Sequence, residues 1–201
     1  MGLSERKARQ QEELRDQIIA QSWAIIEREG WQALSIRRIA EAIEYSVPVI
    51  YKYFENKEAI LEYFTKEGFR ALTAQLRTSV TDVDTSVTQL TQLAHAYWHF
   101  AAQQTEHYKI MFGLGIPTCE TINSVAEMRD MSMLMLEVIE AVVVANDNQE
   151  VDKMLKMKTL WSTLHGFIAI ELLSHNSISK EPTATFTDAV DSFIFTLINK
   201  K

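Results

Sequence analysis

The chain has 201 residues, 47% of them hydrophobic and 23% charged, with six glycines, three prolines and a formal net charge of −7. This composition excludes a chain that is disordered as a whole, and the length suffices for one large domain or a small domain joined to a larger one. The single cysteine, Cys119, excludes an intrachain disulfide framework and a cysteine-only metal site, and it suits a reducing cytoplasm.

The first ten residues are polar and charged, without the apolar core of a signal peptide, and Arg6 stands where a myristoylation motif at Gly2 needs Ser or Thr. Every apolar stretch is broken before it reaches membrane-spanning length. A soluble, cytoplasmic chain without membrane association is therefore expected. Few glycines and prolines imply long helices.

From Ser4 to Glu29, Leu14, Ile18, Ile19, Ile25 and Ile26 form an apolar stripe of helical period, and Gly30 is placed to end that helix in the left-handed conformation. Ser35 is an N-cap for a short helix with Ile36, Ile39, Ala40 and Ile43. Glu44 and Tyr45 make a tight turn. Ser46 caps a second short helix, Val47 to Tyr53, with Pro48 in its first turn, where a missing N–H does no harm. Asn56 opens a long helix with Ile60, Leu61, Phe64 and Leu72 inside, running to about Arg77. Beyond it, Asp84 caps a helix through Gln104, and Glu106–Phe112 forms a short one. Residues Gly113 to Thr118 read as a loop. Helices over Glu120–Ala145, Val151–His175 and Thr183–Asn199 complete the chain, with the turn Asn146-Asp147-Asn148 after the first of them. No segment alternates with the period of a strand. The fold class is all-α, with about nine helices.

The segment from Ile36 to Leu61 is the most informative. Two short helices crossing steeply need a small residue at the crossing, which Ala40 supplies, and apolar anchors facing one small core, for which Ile39, Ile43, Tyr45, Ile50 and Tyr53 have the spacing. These are the mechanical demands of a helix-turn-helix, whose second helix enters the DNA major groove. The run Tyr51-Lys52-Tyr53-Phe54, then Asn56-Lys57-Glu58, together with the helices before it, resembles the DNA-binding head of TetR/AcrR-type regulators over about residues 14–61. In that family a Tyr-x-Tyr/His-Phe element followed by a small polar residue, Lys and Glu closes the recognition helix and opens the next. Two positions depart from the family pattern. Glu44 stands where glycine is usual, which strains the turn if its φ is positive, and Val49 replaces a Thr or Ser, exchanging a hydroxyl for contact with a thymine methyl.

The resemblance and the chemistry together divide the chain into a three-helix head, residues 1–56, and a helical ligand-binding and dimerisation body, residues 57–201. Ser35, Arg37 and Arg38 would meet phosphates, Ser46, Val47 and Val49 would face base edges, and Lys52 would reach base or phosphate. Tyr51 and Tyr53 would donate hydroxyls to phosphates or pack inside the head, and Lys57 would neutralise a phosphate. Arg6, Lys7 and Arg9 would form a basic arm crossing the minor groove. The charge does not oppose this. Residues 1–57 hold nine basic and nine acidic side chains, and residues 58–201 hold eleven and eighteen, so the acidic excess lies wholly in the body.

The resemblance implies a homodimer through the last two helices, which bind as a four-helix bundle. The final helix carries Phe186, Ala189, Val190, Phe193, Leu197 and Ile198 for that contact or for packing within the chain. Trp161, His165 and Gly166 resemble a Trp-x-x-x-His-Gly element of one subgroup, with His165 read as a hydrogen-bonded structural residue. Tyr97, Trp98, Phe100, His107, Met111, Phe112, Met128, Met131, Met135 and Trp161 supply the walls of an apolar pocket or the core itself. The expected function is a ligand-responsive regulator, most simply a repressor, that binds a palindromic operator in double-stranded DNA and is released by a small apolar effector. No cofactor is implied. The pairs His95/His99 and Glu171/His175 have zinc-compatible spacing, yet no third ligand is marked. No nucleophile with its base and no phosphate loop points to an enzyme. The competing reading is a helical small-molecule-binding or interaction protein with lost or altered DNA binding.

Overall fold

The computed structural model describes residues 3–80, 85–113, 126–175 and 177–199, and among them every regular element is helical. Two compact units emerge, residues 1–65 and 66–201. Gly2, Asp84, positions 114–118 of the expected loop, Cys119 and the expected helix start at Glu120 lie outside the described residues.

In the first unit α1 (Leu3–Glu29) buries Ile18, Ile25 and Ile26. Its first half is exposed and polar, and Arg6, Lys7 and Arg9 lie on helical backbone, not on an extended arm. Strong helix formers fill this stretch, and Arg9 pairs with Glu13 one turn on at 3.5 Å. Gly30 has φ 81° and ψ 159°. The positive φ matches expectation, but the ψ places it in the extended mirror region open essentially to glycine alone, outside the left-handed helical well. That conformation swings the chain into a 3-10 turn, Trp31–Ala33, which periodicity did not announce.

Helix α2 (Ile36–Ala42) is capped as expected, Ser35 Oγ accepting from the Arg38 N–H at 3.3 Å. It ends in a Schellman arrangement: the Tyr45 N–H donates to Ala40 O at 2.9 Å and the Glu44 N–H to Glu41 O at 3.3 Å. Glu44 sits at φ 60°, so the strain foreseen for a residue with a Cβ is present, roughly 1–2 kcal/mol. Helix α3 spans Val47–Ile50, with Pro48 in its first turn. The Lys52 and Tyr53 N–H groups donate three residues back, to Val49 and Ile50, so the coil tightens before Phe54 instead of continuing as α-helix to Tyr53. Ile39, Ala40 and Ile50 are buried at the α2–α3 crossing, Phe54 joins them, and Ile43 and Tyr53 are half-buried. Tyr45 is exposed, contrary to its expected place among the anchors, because the reversal at Glu44 turns it outward. Asn56 Oδ1 accepts from the Ala59 N–H at 2.8 Å and caps α4 (Lys57–Ser79), which buries Ile60, Leu61 and Phe64 in this unit and runs on into the second.

The second unit contains the remainder of α4, with Phe69, Leu72 and Leu76 buried, then α5 (Ser86–Gln103), α6 (Thr105–Gly113), α7 (Ala126–Ala145), α8 (Lys153–His175) and α9 (Ala184–Ile198). Thr85 caps α5, its hydroxyl accepting from the Thr88 N–H; Asp152 caps α8 and Thr183 caps α9. Helix α5 is the centre of this unit. Leu90, Leu93, Ala94, Tyr97, Trp98, Phe100 and Ala101 are buried on several of its faces, and it touches α6, α7, α8 and α9. Asp147, at φ 50°, ends α7 in a second Schellman arrangement, with the Asn148 N–H on Val143 O at 3.0 Å. The buried Asn148 amide then donates to Leu197 O at 2.8 Å and ties that turn to the end of α9. Among the described residues no helix is long and apolar enough to cross a membrane.

Candidate nucleic-acid interface

The head presents its expected DNA-contacting residues unequally. Arg37 is exposed, and its partner is Glu41, one turn along the same helix, at 2.8 Å. That carboxylate holds the guanidinium pKa above its ordinary value. An exposed pair of this kind is weak, so a phosphate can replace Glu41 at little cost. Ser46 is exposed at the head of α3 and makes no capping bond, which leaves its hydroxyl pointing to solvent at the position where a recognition helix meets bases. Val47 and Val49 are half-buried, and Tyr51 and Lys52 are exposed at the far end.

Three further residues are engaged within the head. Ser35 spends its hydroxyl on the α2 cap. Arg38 Nη2 donates to Glu29 Oε1 at 2.7 Å and Arg38 Nη1 to Ala33 O at 3.0 Å. The Arg38 guanidinium, aided by Arg28, draws the Glu29 pKa down to about 2. Lys57 Nζ donates to Gln32 O at 3.2 Å and stands 5.5 Å from the centre of the Trp31 ring. Sequence spacing gave no sign of the partners of Arg38 and Lys57, which lie around the turn at Gly30. An open cleft of about 870 Å³ runs beside α1, lined among others by Lys7, Gln10, Leu14 and Gln17 with Tyr45 and Tyr53.

In the body, Tyr97, Trp98, Phe100, Met111, Met128, Met131, Met135 and Trp161 belong to one buried core, and Phe112 packs against it. His107 is half-buried, its Nε2 3.9 Å from Glu67. The structure gathers only some of these around a polar feature. The Trp161 indole N–H donates to the Tyr97 hydroxyl at 3.1 Å, the Tyr97 and Tyr108 hydroxyls lie 3.4 Å apart, and the Tyr108 hydroxyl lies 2.6 Å from His165 Nδ1. Phe112 closes this chain, its ring 4.4 Å from His165 and 6.4 Å from Trp161 between centres. Burial lowers the His165 pKa, raises Tyr108 well above its usual value and pushes Tyr97 up to about 12, so all three are neutral near pH 7. With His165 accepting at Nδ1, each hydroxyl donates once and accepts once. His165 is thus a half-buried residue hydrogen-bonded to the core through Tyr108. Trp98 points elsewhere, its N–H on Ser179 O at 2.9 Å and its ring against Phe186.

A second cleft, of about 290 Å³, lies between α4 and α7, lined by Arg70, Thr73, Ala74, Arg77, Glu127 and Asp130. None of these was marked by sequence; Arg70 reaches Glu127 across 57 positions at 2.5 Å. Among the described residues no group of three or more His, Cys, Asp or Glu side chains could hold a metal ion.

Of the two roles open to the apolar residues of the last helix, the structure shows packing within the chain. Phe186, Val190, Phe193 and Leu197 are buried within their own chain, while its exposed aromatic is Phe195. The outward apolar surface lies on α8, where Leu155, Thr159, Ser162, Gly166, Ile170 and Leu173 follow at three- and four-residue steps along one stripe. Leu155, Ile170 and Leu173 are 59%, 61% and 87% exposed, and nothing lies within 4 Å of where a Gly166 Cβ would be.

A capped helix-turn-helix whose second helix opens on the exposed Ser46, followed by a long helix and further helices, is the architecture of helix-turn-helix DNA-binding proteins. Residues 18–64 match the family model for bacterial regulatory proteins of the tetR family, and residues 90–193 match the model for the tetracyclin repressor-like C-terminal domain. The chain belongs to this family, whose members are DNA-binding transcriptional regulators and not enzymes. It is 28% identical over 88 residues to an uncharacterized HTH-type transcriptional regulator of Haemophilus influenzae, a match spanning 44% of this chain and 47% of that protein. In fold it is similar to a protein of unknown function from Rhodococcus sp. RHA1, with a TM-score of 0.74 and 23% identity over 92% of this chain and 96% of the other. A tetR-family regulatory protein from Rhodococcus RHA1 gives a TM-score of 0.66 at 17% identity, over 93% and 98% of the two chains.

Proposed function

We propose that the chain is a repressor that binds a palindromic operator in double-stranded DNA as a homodimer and is released by a small, mainly apolar effector. DNA reading is assigned to residues 1–56, sensing and dimerisation to residues 57–201. The observation that carries this reading is the exposed α8 stripe. A monomer rarely leaves aligned apolar side chains such as Leu155, Ile170 and Leu173 in water, and the bare Gly166 between them admits a second helix closely. Phe195 on α9 extends the same kind of surface. Two copies meeting there through α8 and α9 form a four-helix bundle with two-fold symmetry, and that symmetry is mirrored in a palindrome.

On DNA, Ser46, Val47 and Val49 face base edges, while Arg37, Lys52 and the Tyr51 hydroxyl hold phosphates. Ser35 and Tyr53 contribute from the ends of their helices. The effector enters among Tyr97, Phe112, Met111, Met131, Met135 and Trp161, where methionines re-pack readily and the Trp161–Tyr97–Tyr108–His165 chain offers hydrogen bonds but no charge. An uncharged lining favours an uncharged or weakly polar molecule. Binding shifts the dimer toward a state whose recognition helices no longer match successive major grooves, through α4, which carries residues of both units. A second reading, a helical small-molecule-binding or interaction protein with altered DNA binding, draws on Glu44, whose exposed carboxylate sits in the turn before α3. Selection of duplexes from a random pool with the purified full chain separates the two: an enriched palindrome supports the repressor, and no enrichment supports the alternative.

A further inference from the structure

Two of the cations that the sequence sets against phosphate, Arg38 and Lys57, turn back onto the segment between α1 and α2. Arg38 bridges two elements, donating to Glu29 Oε1 on the last residue of α1 and to Ala33 O in the 3-10 turn. Glu29 also accepts from Arg28 Nε and Nη2, at 2.9 and 2.7 Å. Lys57 donates to Gln32 O from the first residue of α4. Gln32 and Ala33 carry the last carbonyls of a three-residue turn, where helical geometry supplies no donors. Side chains from α2 and α4 supply them, and the linker is held from both sides.

We propose that Arg38 and Glu29 are a positioning pair for DNA binding: they fix α2 against α1, and so fix where Arg37 and α3 meet the duplex, while Arg38 touches no phosphate. This rests on the DNA reading above. Arg38 would have to give up two partners on two different elements to reach a phosphate, and would leave Ala33 O without its donor. Arg37, its neighbour, is 84% exposed at the side chain and gives up only an intrahelical surface pair. Helix α2 packs on α3 at Ala40, so a shift of α2 moves the recognition helix with it.

The test uses full-length Glu29→Gln, Arg38→Gln, Arg38→Lys and Arg37→Gln, with a duplex enriched from the random pool and a scrambled duplex as probes, titrated over a range of salt. Glu29→Gln and Arg38→Gln should each weaken binding roughly three- to fivefold with the slope of log K against log salt unchanged. Arg38→Lys should be as weak as Arg38→Gln, since an ammonium cannot span both acceptors. Arg37→Gln should lower the slope by about 0.9, as loss of one phosphate contact requires. The double swap Glu29→Arg with Arg38→Glu should bind more tightly than Arg38→Glu alone, because the ion pair returns although Ala33 O keeps no donor, a partial rescue that loss of a phosphate ligand would not allow. The proposal is overturned if Arg38→Gln lowers the slope by about 0.9 while Glu29→Gln binds as well as the wild type or better. It is overturned equally if both variants, folded by circular dichroism, bind at wild-type strength. If the wild-type chain itself prefers neither duplex, the DNA reading fails and the positioning role falls with it.

Discussion

A β-carbon on Gly68 of α4 would stand 2.6 Å from Met111 Sδ and 2.9 Å from its Cγ on α6, so the two helices meet here because one residue lacks a side chain. Gly68→Ala gains about 1 kcal/mol of helix propensity and meets an overpacking cost of roughly 1–3 kcal/mol, with a net loss of stability expected in urea unfolding. In a Met111→Ala background the obstruction is gone, and the same substitution should stabilise by about 1 kcal/mol. A gain in the wild-type background would contradict the contact.

The turn at Glu44 combines strain with charge, and two substitutions separate them. Glu44→Gly removes the Cβ from a left-handed position and should raise the stability of the head by about 1 kcal/mol. Glu44→Gln keeps the strain and removes the carboxylate, so it should leave thermal unfolding unchanged and strengthen DNA binding at low salt, with the gain fading as salt rises. Equal stabilities for all three chains would rule out strain at this turn.

The core chain of hydrogen bonds gives the body a defined response to pH. Because burial lowers the His165 pKa, the unfolded chain takes up the proton first as pH falls. The stability contributed by the neutral ring is complete above the unfolded value near 6.5 and is lost as pH drops below it. His95, also lowered by burial and by His99, adds to the same slope. Tyr97 acts at the other end, where stability is lost as pH rises from 10 toward about 12, and burial of Tyr108 acts in the same direction. Urea midpoints of His165→Gln, whose carbonyl can still accept from Tyr108, should fall less steeply than wild type between about pH 7 and 5, with the His95 contribution remaining.

The α8 stripe predicts that charge within it prevents assembly. Ile170→Glu should weaken self-association on the order of 100-fold in sedimentation equilibrium, with helicity by circular dichroism unchanged because the side chain is already in water. Leu155→Glu, nearer one end of the stripe, should act in the same direction with smaller effect. Wild-type association by Ile170→Glu would place the interface elsewhere.

The local grammar of the chain was legible. Ser35 and Asn56 cap the helices they were expected to cap, and the glycine at position 30 does take a positive φ. These signals act within four residues. What escaped was tertiary. Arg38 finds Glu29 nine positions away, and Tyr108 finds His165 57 positions away, through turns whose direction no periodicity encodes. Helix α8 is a different case. It buries Met157, Leu160, Trp161, Leu164 and Ile168 on one side and presents Leu155, Ile170 and Leu173 on another, so its apolar residues surround it and its pattern points in no single direction. The last helix, by contrast, keeps most of its apolar residues on one face, which its own core claims, and leaves Phe195 outside.

On the proposed function, the head reads sequence as one half of a symmetric pair. Fluorescence anisotropy of a labelled duplex enriched from the random pool, measured beside a scrambled duplex of equal length at one moderate salt concentration, tests it most directly. Saturation is expected at two protomers per palindrome or a multiple of two, with the enriched duplex bound at least about 1,000-fold more tightly than the scrambled one. Equal affinity for the two duplexes would contradict it.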